Sequence, residues 1–197
     1  MSWRDYYRTM PDELRLRGAD WEVRPIDLAG GRRFIEQHHY AGSASNTAVA
    51  VHGLFRYGQG ELLGVAWWLP PTKPAAQSVS AEWRNVLALS RLVIAPEVPK
   101  NAATFIQARS IRLLPTRWTT LLTYADQWRR HTGHIYRVFG WEYLGETEPK
   151  RIYTLDGRQV SVKAGPKTRS HAEMLELGAV CVGRSKKHKF RFVRRVQ

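Results

Sequence analysis

The run Val86 to Ile94, VLALSRLVI, is apolar at odd and even positions alike, and such a strand is stable only where helices cover both faces of its sheet. Ser90 and Arg91 are its polar members, one predicted on each face. A guanidinium there needs an acidic partner, Asp126 or Glu82, or is held ready for an anion. Asn101 then suits an N-cap, and Ala102, Phe105, Ile106, Leu113 and Leu114 mark the expected buried face of a helix that Pro115 stops. A second apolar run, Leu121 to Tyr124, follows. Strand, helix, strand in this order predicts a βαβ unit with parallel strands and a right-handed crossover. The expected fold class is therefore α/β, a mixed central sheet with helices on both faces. Ligands of such sheets bind at the carboxyl ends of the strands, where Asp126 lies.

The second strand runs into Asp126, His131, Thr132, His134 and Tyr136, after which Tyr136 to Phe139 begin a short helix. A carboxylate, imidazoles, a hydroxyl and a phenol at the end of a buried strand cost stability and suit chemistry. The competing reading is a turn in which Asp126 caps backbone amides and the histidines are solvated.

Upstream, Trp21 to Asp27 reads as a first strand and is followed by a helix ending near Tyr40, with Gly42 as its stop. Phe34 and Ile35 lie one turn before His38 and His39, which places at least one imidazole inward, either as a helix cap or, with Tyr40, as a functional group. Thr47 to Tyr57 and Glu61 to Leu69 form an expected hairpin across the GQG turn. Pro70, Pro71 and Pro74 open a loop to about Ala81. Trp67 and Trp68 alternate faces, so one is expected to be available to a ligand or to that loop. Downstream, Glu142 to Leu144 and Arg151 to Leu155 read as strands, Asp156 to Arg158 as a turn, Gln159 to Lys163 as an extended piece, and His171 to Ala179 as a helix. The tail alternates Lys189, Phe190, Arg191 and Phe192. That pattern suits phosphate contact with base stacking, or an edge strand protected by charge.

The 197 residues suit a single domain with a lead-in at residues 1–18 and a basic extension at residues 161–197. Hydrophobic residues make up 43%, but no run approaches the roughly 18 needed to span a membrane, so a soluble chain is expected. The opening residues hold no apolar signal core, which argues for a cytoplasmic protein. Cys181 is the only cysteine, excluding an intrachain disulfide or a cysteine zinc site. Lys and Arg number 31 against 17 Asp and Glu, a net charge of +14, of which +8 falls in residues 161–197. Nucleic acid fits this balance better than a membrane surface, because no basic stretch carries a continuous apolar face.

These residues together resemble two known groups. The order of elements resembles the acyltransferase fold of the GNAT superfamily. A more specific set of segments is similar to the phage Mom family of DNA-modifying proteins. They are HHYAG at His38 to Gly42, LSRLVI at Leu89 to Ile94 with Pro99 to Asn101, YAD at Tyr124 to Asp126, HTGHIY at His131 to Tyr136, GWEYLG at Gly140 to Gly145 and KKHKF at Lys186 to Phe190. The resemblance implies transfer of a carbamoylmethyl-type group to the exocyclic amine of adenine in double-stranded DNA, protecting phage DNA from restriction. It implicates His39, Tyr40, Arg91, Asp126 and Tyr136, with Ser90, Arg91 and Asn101 as expected contacts to an acetyl-coenzyme A or other acyl or aminoacyl donor. Iron is expected to draw on His39, Asp126, His131 and Tyr136, and DNA on Lys186, Lys187, Lys189 and Arg191. Two departures stand out. The segment APEVPKNAAT offers no glycine for the usual phosphate-cradling turn, and His134 stands where the family more often has a threonine. Alternatives are a conventional GNAT acetyltransferase acting on protein, RNA or a small amine, and a non-catalytic DNA-binding protein. A homodimer is also compatible with the sequence.

Overall fold

The computed structural model describes residues 16–164 and 167–194. All but the last three residues of the expected lead-in lie outside this range. In chain order the elements are β1 (Trp21–Pro25), α1 (Leu28–His38), β2 (Ala50–Arg56), β3 (Gly64–Leu69), α2 (Lys73–Gln77), β4 (Val86–Ile94), α3 (Ala102–Leu113), β5 (Thr120–Asp126), α4 (His134–Phe139), β6 (Glu142–Glu146), β7 (Lys150–Leu155), β8 (Arg158–Val160), β9 (Lys163–Ala164), β10 (Lys167–Thr168), α5 (His171–Glu176), β11 (Val180–Ser185) and β12 (Lys187–Val193). The proline-rich segment after β3 is not all loop, because it contains α2 and a 3-10 turn at Trp83–Asn85. A seven-stranded sheet has the order β1-β2-β3-β4-β5-β12-β6. The chain forms two compact units, residues 16–124, 134–143 and 190–194 in the first, and Ala125–Gly133 with Leu144–Lys189 in the second.

In the first unit β1 to β4 are antiparallel, and β4 pairs with β5 in parallel, as the βαβ reading requires. Helices cover both faces. On α1, a Cβ added at Gly31 would meet the side chains of Val51 and Trp67, whereas Ser110 of α3 bonds His52 and Trp68. Val51 and His52 are consecutive in β2 and so point to opposite faces. Trp67 and Trp68 are consequently both 0% exposed, and neither is available to a ligand. The expectation failed because each face of β3 has its own helix.

The register between β3 and β4 slips at Trp67/Trp68, where Arg91 faces Trp67 and Leu89 faces Trp68. Ser90 is thus an extra residue, a β-bulge. On α3 the buried stripe is Ala102, Ile106, Gln107, Ser110 and Ile111, rotated from the expected face, and Leu113 is exposed. Ser110 can be buried because its hydroxyl joins His52 Nδ1 at 2.6 Å and Trp68 Nε1 at 2.7 Å.

The tail strand β12 lies between β5 and β6 and is not an edge strand. Phe190 is fully buried against Tyr136 and Tyr143, and Phe192 lies against Phe139 and Trp141, so both rings serve packing and not base stacking. Arg194 then donates to the carbonyls of Leu114, Pro115 and Trp118, which close the C-terminal end of α3.

The second unit is built on an antiparallel sheet of order β11-β7-β8. Tyr153, Met174 and Ala179 form its core, with Val160, Val162 and Cys181 packed against them. A capping box between Ser170 and Glu173 starts α5, which stops earlier than the sequence reading placed it. Asp156 and Gly157, both at positive φ, make the expected turn between β7 and β8.

Candidate active site

The parallel ladder between β4 and β5 ends at Leu89 and Thr123, although β4 continues to Ile94. Beyond that point the strands share no ladder, and the bulge at Ser90 sits beside the opening. Such a gap exposes backbone groups to a ligand at the carboxyl ends of the strands.

Arg91 is the cation at this place. Its Nε donates to the carbonyl of Ser43 at 3.2 Å, and Nη1 donates to Ser90 O at 2.8 Å and Ser90 Oγ at 3.2 Å. Ser90 and Arg91 therefore meet, against the expectation that they lie on opposite faces, because the bulge breaks the alternation. Backbone and hydroxyl acceptors hold the guanidinium, and of the two alternatives the carboxylate partner, Asp126 or Glu82, is not the one found among the described residues. Burial disfavours its charge and lowers its pKa, while Tyr40 acts in the opposite direction.

His39 forms the C-cap of α1, its backbone N–H bonded to Ile35 O. Its ring stacks on Tyr40 with centroids 4.2 Å apart, and Nδ1 accepts the backbone N–H of Ala41 at 3.1 Å. That bond keeps the ring proton of the neutral imidazole on Nε2, making His39 a donor there. His39, Tyr40, Ser90 and Arg91 are thus brought together in the first unit, with Ser43 as a brace that nothing in its polar loop sequence announced.

Tyr136 belongs to the same unit but is buried. Desolvation raises its phenol pKa, opposed by hydrogen bonding to Thr123, whose hydroxyl donates to Leu89 O at 3.0 Å. At neutral pH it is a protonated phenol, packed on Trp141 and Phe190. His134, also in the first unit, is exposed. Asn101 occupies the N-cap position of α3 without capping it, because its side chain accepts from Leu16 N at 2.8 Å and donates to Leu16 O. One amide N–H and one oxygen lone pair are thereby committed to the Leu16 backbone. A cleft of about 340 Å³ lies beside it, lined by Asn101, Thr104, Phe105, Val138 and Phe139.

In the second unit Asp126 is 8% exposed, and its Oδ1 accepts the Trp128 N–H at 3.0 Å, capping the 3-10 turn Gln127–Arg129. The capping role weighed from sequence is therefore present, and His131 and Thr132 are exposed. Among the described residues no group of three His, Cys, Asp or Glu side chains could hold a metal ion. His39, Asp126 and His131 do not make such a group, and metal at His39 Nε2 would move the ring proton to Nδ1, against the Ala41 N–H. The residues do not fit the expected iron. Of the expected DNA contacts, Lys186 pairs with Glu146 at 3.0 Å and Arg191 with Glu142 at 2.6 Å, Arg191 also donating to Val79 O. Lys187 is exposed, and Lys189 is half-buried.

A model of the Mom protein family matches residues 20–197. The chain belongs to the Mom family. This Mom protein also has the GNAT acetyltransferase fold. A putative phosphinothricin N-acetyltransferase aligns with a TM-score of 0.56 at 8% identity, over 89% of this chain and 99% of that one. An N-acetyltransferase from Staphylococcus aureus Mu50 gives 0.52 at 12% identity, over 88% and 98%. Spermidine N-acetyltransferase from Vibrio cholerae, in complex with CoA and spermine, gives 0.51 at 11% identity, over 89% and 96%. No curated protein sequence matches this Mom protein at a significant level. Among the described residues no helix is long and apolar enough to cross a membrane.

Proposed function

We propose that this Mom protein is a transferase that modifies the exocyclic amine of adenine in double-stranded DNA, protecting phage DNA from restriction. The observation that carries the reading is the family match over residues 20–197. The grouping of His39, Tyr40, Ser90 and Arg91 beside the divergence of β4 and β5 supports it.

The adenine amine is a poor nucleophile because its lone pair is delocalised into the ring, so transfer needs an activated donor and a base. An acyl donor of the coenzyme A type supplies an electrophilic carbon and a stable leaving group. Its reactive end suits the gap between β4 and β5, and its tail suits the cleft beside Thr104 and Phe105. The pyrophosphate of coenzyme A finds no glycine-rich cradle before α3, so that part of the donor is gripped otherwise or absent. Arg91 stabilises negative charge that develops on the donor, and His39 donates from Nε2. A base must accept the amine proton as the new bond to nitrogen forms and the leaving group departs with the bonding pair, and Asp126 is our candidate for that base. The protonated Tyr136 fixes Thr123 and does not act as a base. No step is assigned to iron. The target base must leave the duplex before reaction, at about a few kcal/mol.

Mass spectrometry of nucleosides from DNA of cells expressing the protein tests this. Wild type should yield a modified deoxyadenosine, and Asp126→Asn should lower its yield at least a hundredfold while the protein still binds duplex DNA. Unaltered adenine together with acetylated protein or polyamine would select the conventional acetyltransferase reading. Cellular effects that survive Asp126→Asn without modified adenine would select the non-catalytic one.

A further inference from the structure

Tryptophan is hidden almost everywhere in this fold. Among the described residues Trp21, Trp67, Trp68, Trp118 and Trp141 are buried, and Trp83 is half-buried under Lys73 and Arg84. Trp128, on the 3-10 turn Gln127–Arg129 of the second unit, is 39% exposed. A single exposed apolar side chain needs no explanation by itself. Here, however, the backbone around it is held still.

Asp126 Oδ1 accepts the Trp128 N–H at 3.0 Å, the Arg130 N–H closes on Gln127 O at 2.9 Å, and Arg130 stands at φ 57°, in the left-handed region. The Gln127 amide bonds Glu146, and Arg129 Nη2 donates to Gln159 Oε1 at 3.0 Å. The residues on either side of the tryptophan thus anchor the turn to neighbouring strands. The indole itself leans by its outer edge on Gly183, where Cζ3 and Cη2 would lie 3.4 and 3.6 Å from an added Cβ. Among the described residues no second ring and no hydrogen-bond partner engages it. An aromatic side chain that is ordered in advance and still open to solvent has the properties of an interface anchor.

The surroundings select the partner. The second unit carries twelve Lys or Arg against six Asp or Glu, and Arg129 and Arg130 beside the ring are both exposed. An apolar protein surface would meet this charge badly, whereas a nucleotide offers a flat base to the indole and a phosphate to the guanidiniums. Asp126, the N-cap of the same turn, lies two residues away, about 4 Å of helix rise. A base stacked on the ring is therefore a neighbour of that carboxylate.

We infer that Trp128 is a stacking platform for an unpaired adenine of the DNA substrate. The identity of the base rests on the proposed adenine modification; the stacking rests on the braced, exposed ring. Such a platform stabilises the extruded state of a base that has lost its neighbours in the helix.

Two fluorescent strands of equal length, an oligodeoxyadenylate and an abasic strand with the same phosphates, test this on the full chain. Wild type should prefer the adenine strand. W128A should bind that strand about tenfold more weakly, with the slope of log K against log salt unchanged, and should bind the abasic strand as wild type does. W128F should keep most of the affinity. Trp128→Leu should not, because leucine offers apolar area without a π face. Tyr57→Ala, removing a ring that is 71% exposed in the first unit, should change nothing. An equal loss on both strands, no loss in W128A, full rescue by leucine, or the same loss in Tyr57→Ala would each overturn the inference. So would melting of W128A several degrees below wild type, which would make the ring a structural clamp on Gly183. If W128A binds as expected while DNA from expressing cells carries unmodified adenine, the platform stands and the adenine-modification reading fails. Undiminished adenine modification in W128A, with binding also unchanged, removes the inference and leaves that reading intact.

Discussion

His52 is buried at 3% exposure with a hydroxyl as its hydrogen-bond partner and no charge to stabilise a proton, so burial lowers its pKa from 6.5 to about 4. The unfolded chain therefore takes up a proton between these values that the folded chain refuses, and stability falls as pH falls through this window. Urea unfolding at pH 7.5 and pH 4.5 should show a loss approaching about 3 kcal/mol from this group, and His52→Gln should remove most of it. Ser110→Ala should cost about 1–3 kcal/mol at pH 7.5, because it strips a partner from both His52 and the Trp68 indole. At this scale the sequence was only partly informative. His39, Tyr40 and Arg91 stood out by residue type, but the bulge that turns Ser90 toward Arg91 depends on the register of two distant strands. The same is true of the carbonyl of Ser43.

Among elements, β4, α3 and β5 were legible because a doubly apolar run, a helical period and a second apolar run obey local rules. The tail strand was legible as a strand and misleading as a surface, since the alternation of Lys189, Phe190, Arg191 and Phe192 says which residues share a face but not what covers it. Phe190, enclosed by Tyr136 and Tyr143, should behave as a core residue. Phe190→Ala should cost about 3–5 kcal/mol in chemical denaturation, whereas an aromatic on a binding surface would cost little stability. The strand β11, VCVGRS, was missed because it is short, carries a glycine and has both of its valines exposed. With so few buried side chains, local pattern could not separate it from a loop.

For the whole molecule, a net charge of +14 disfavours compactness through self-repulsion. Nucleic-acid-free protein should melt a few degrees higher in 200 mM than in 20 mM sodium chloride, as ions screen that repulsion; a melting point indifferent to salt would show the charges already balanced. The charge total and the α/β class were readable from composition and period. The grouping of residues 125–133 and 144–189 into a unit with its own core was not, because no linker or change of composition marks its limits.

One feature of the sheet order reaches back to synthesis. The last strand of the chain occupies an interior slot, between β5 and β6. Until the segment Lys187–Val193 has been made, that slot stands empty, and β5 and β6 each present a bare edge. Completion of the central sheet must therefore wait for β12, and a premature stop before Lys187 should give an aggregating product rather than a shortened folded chain.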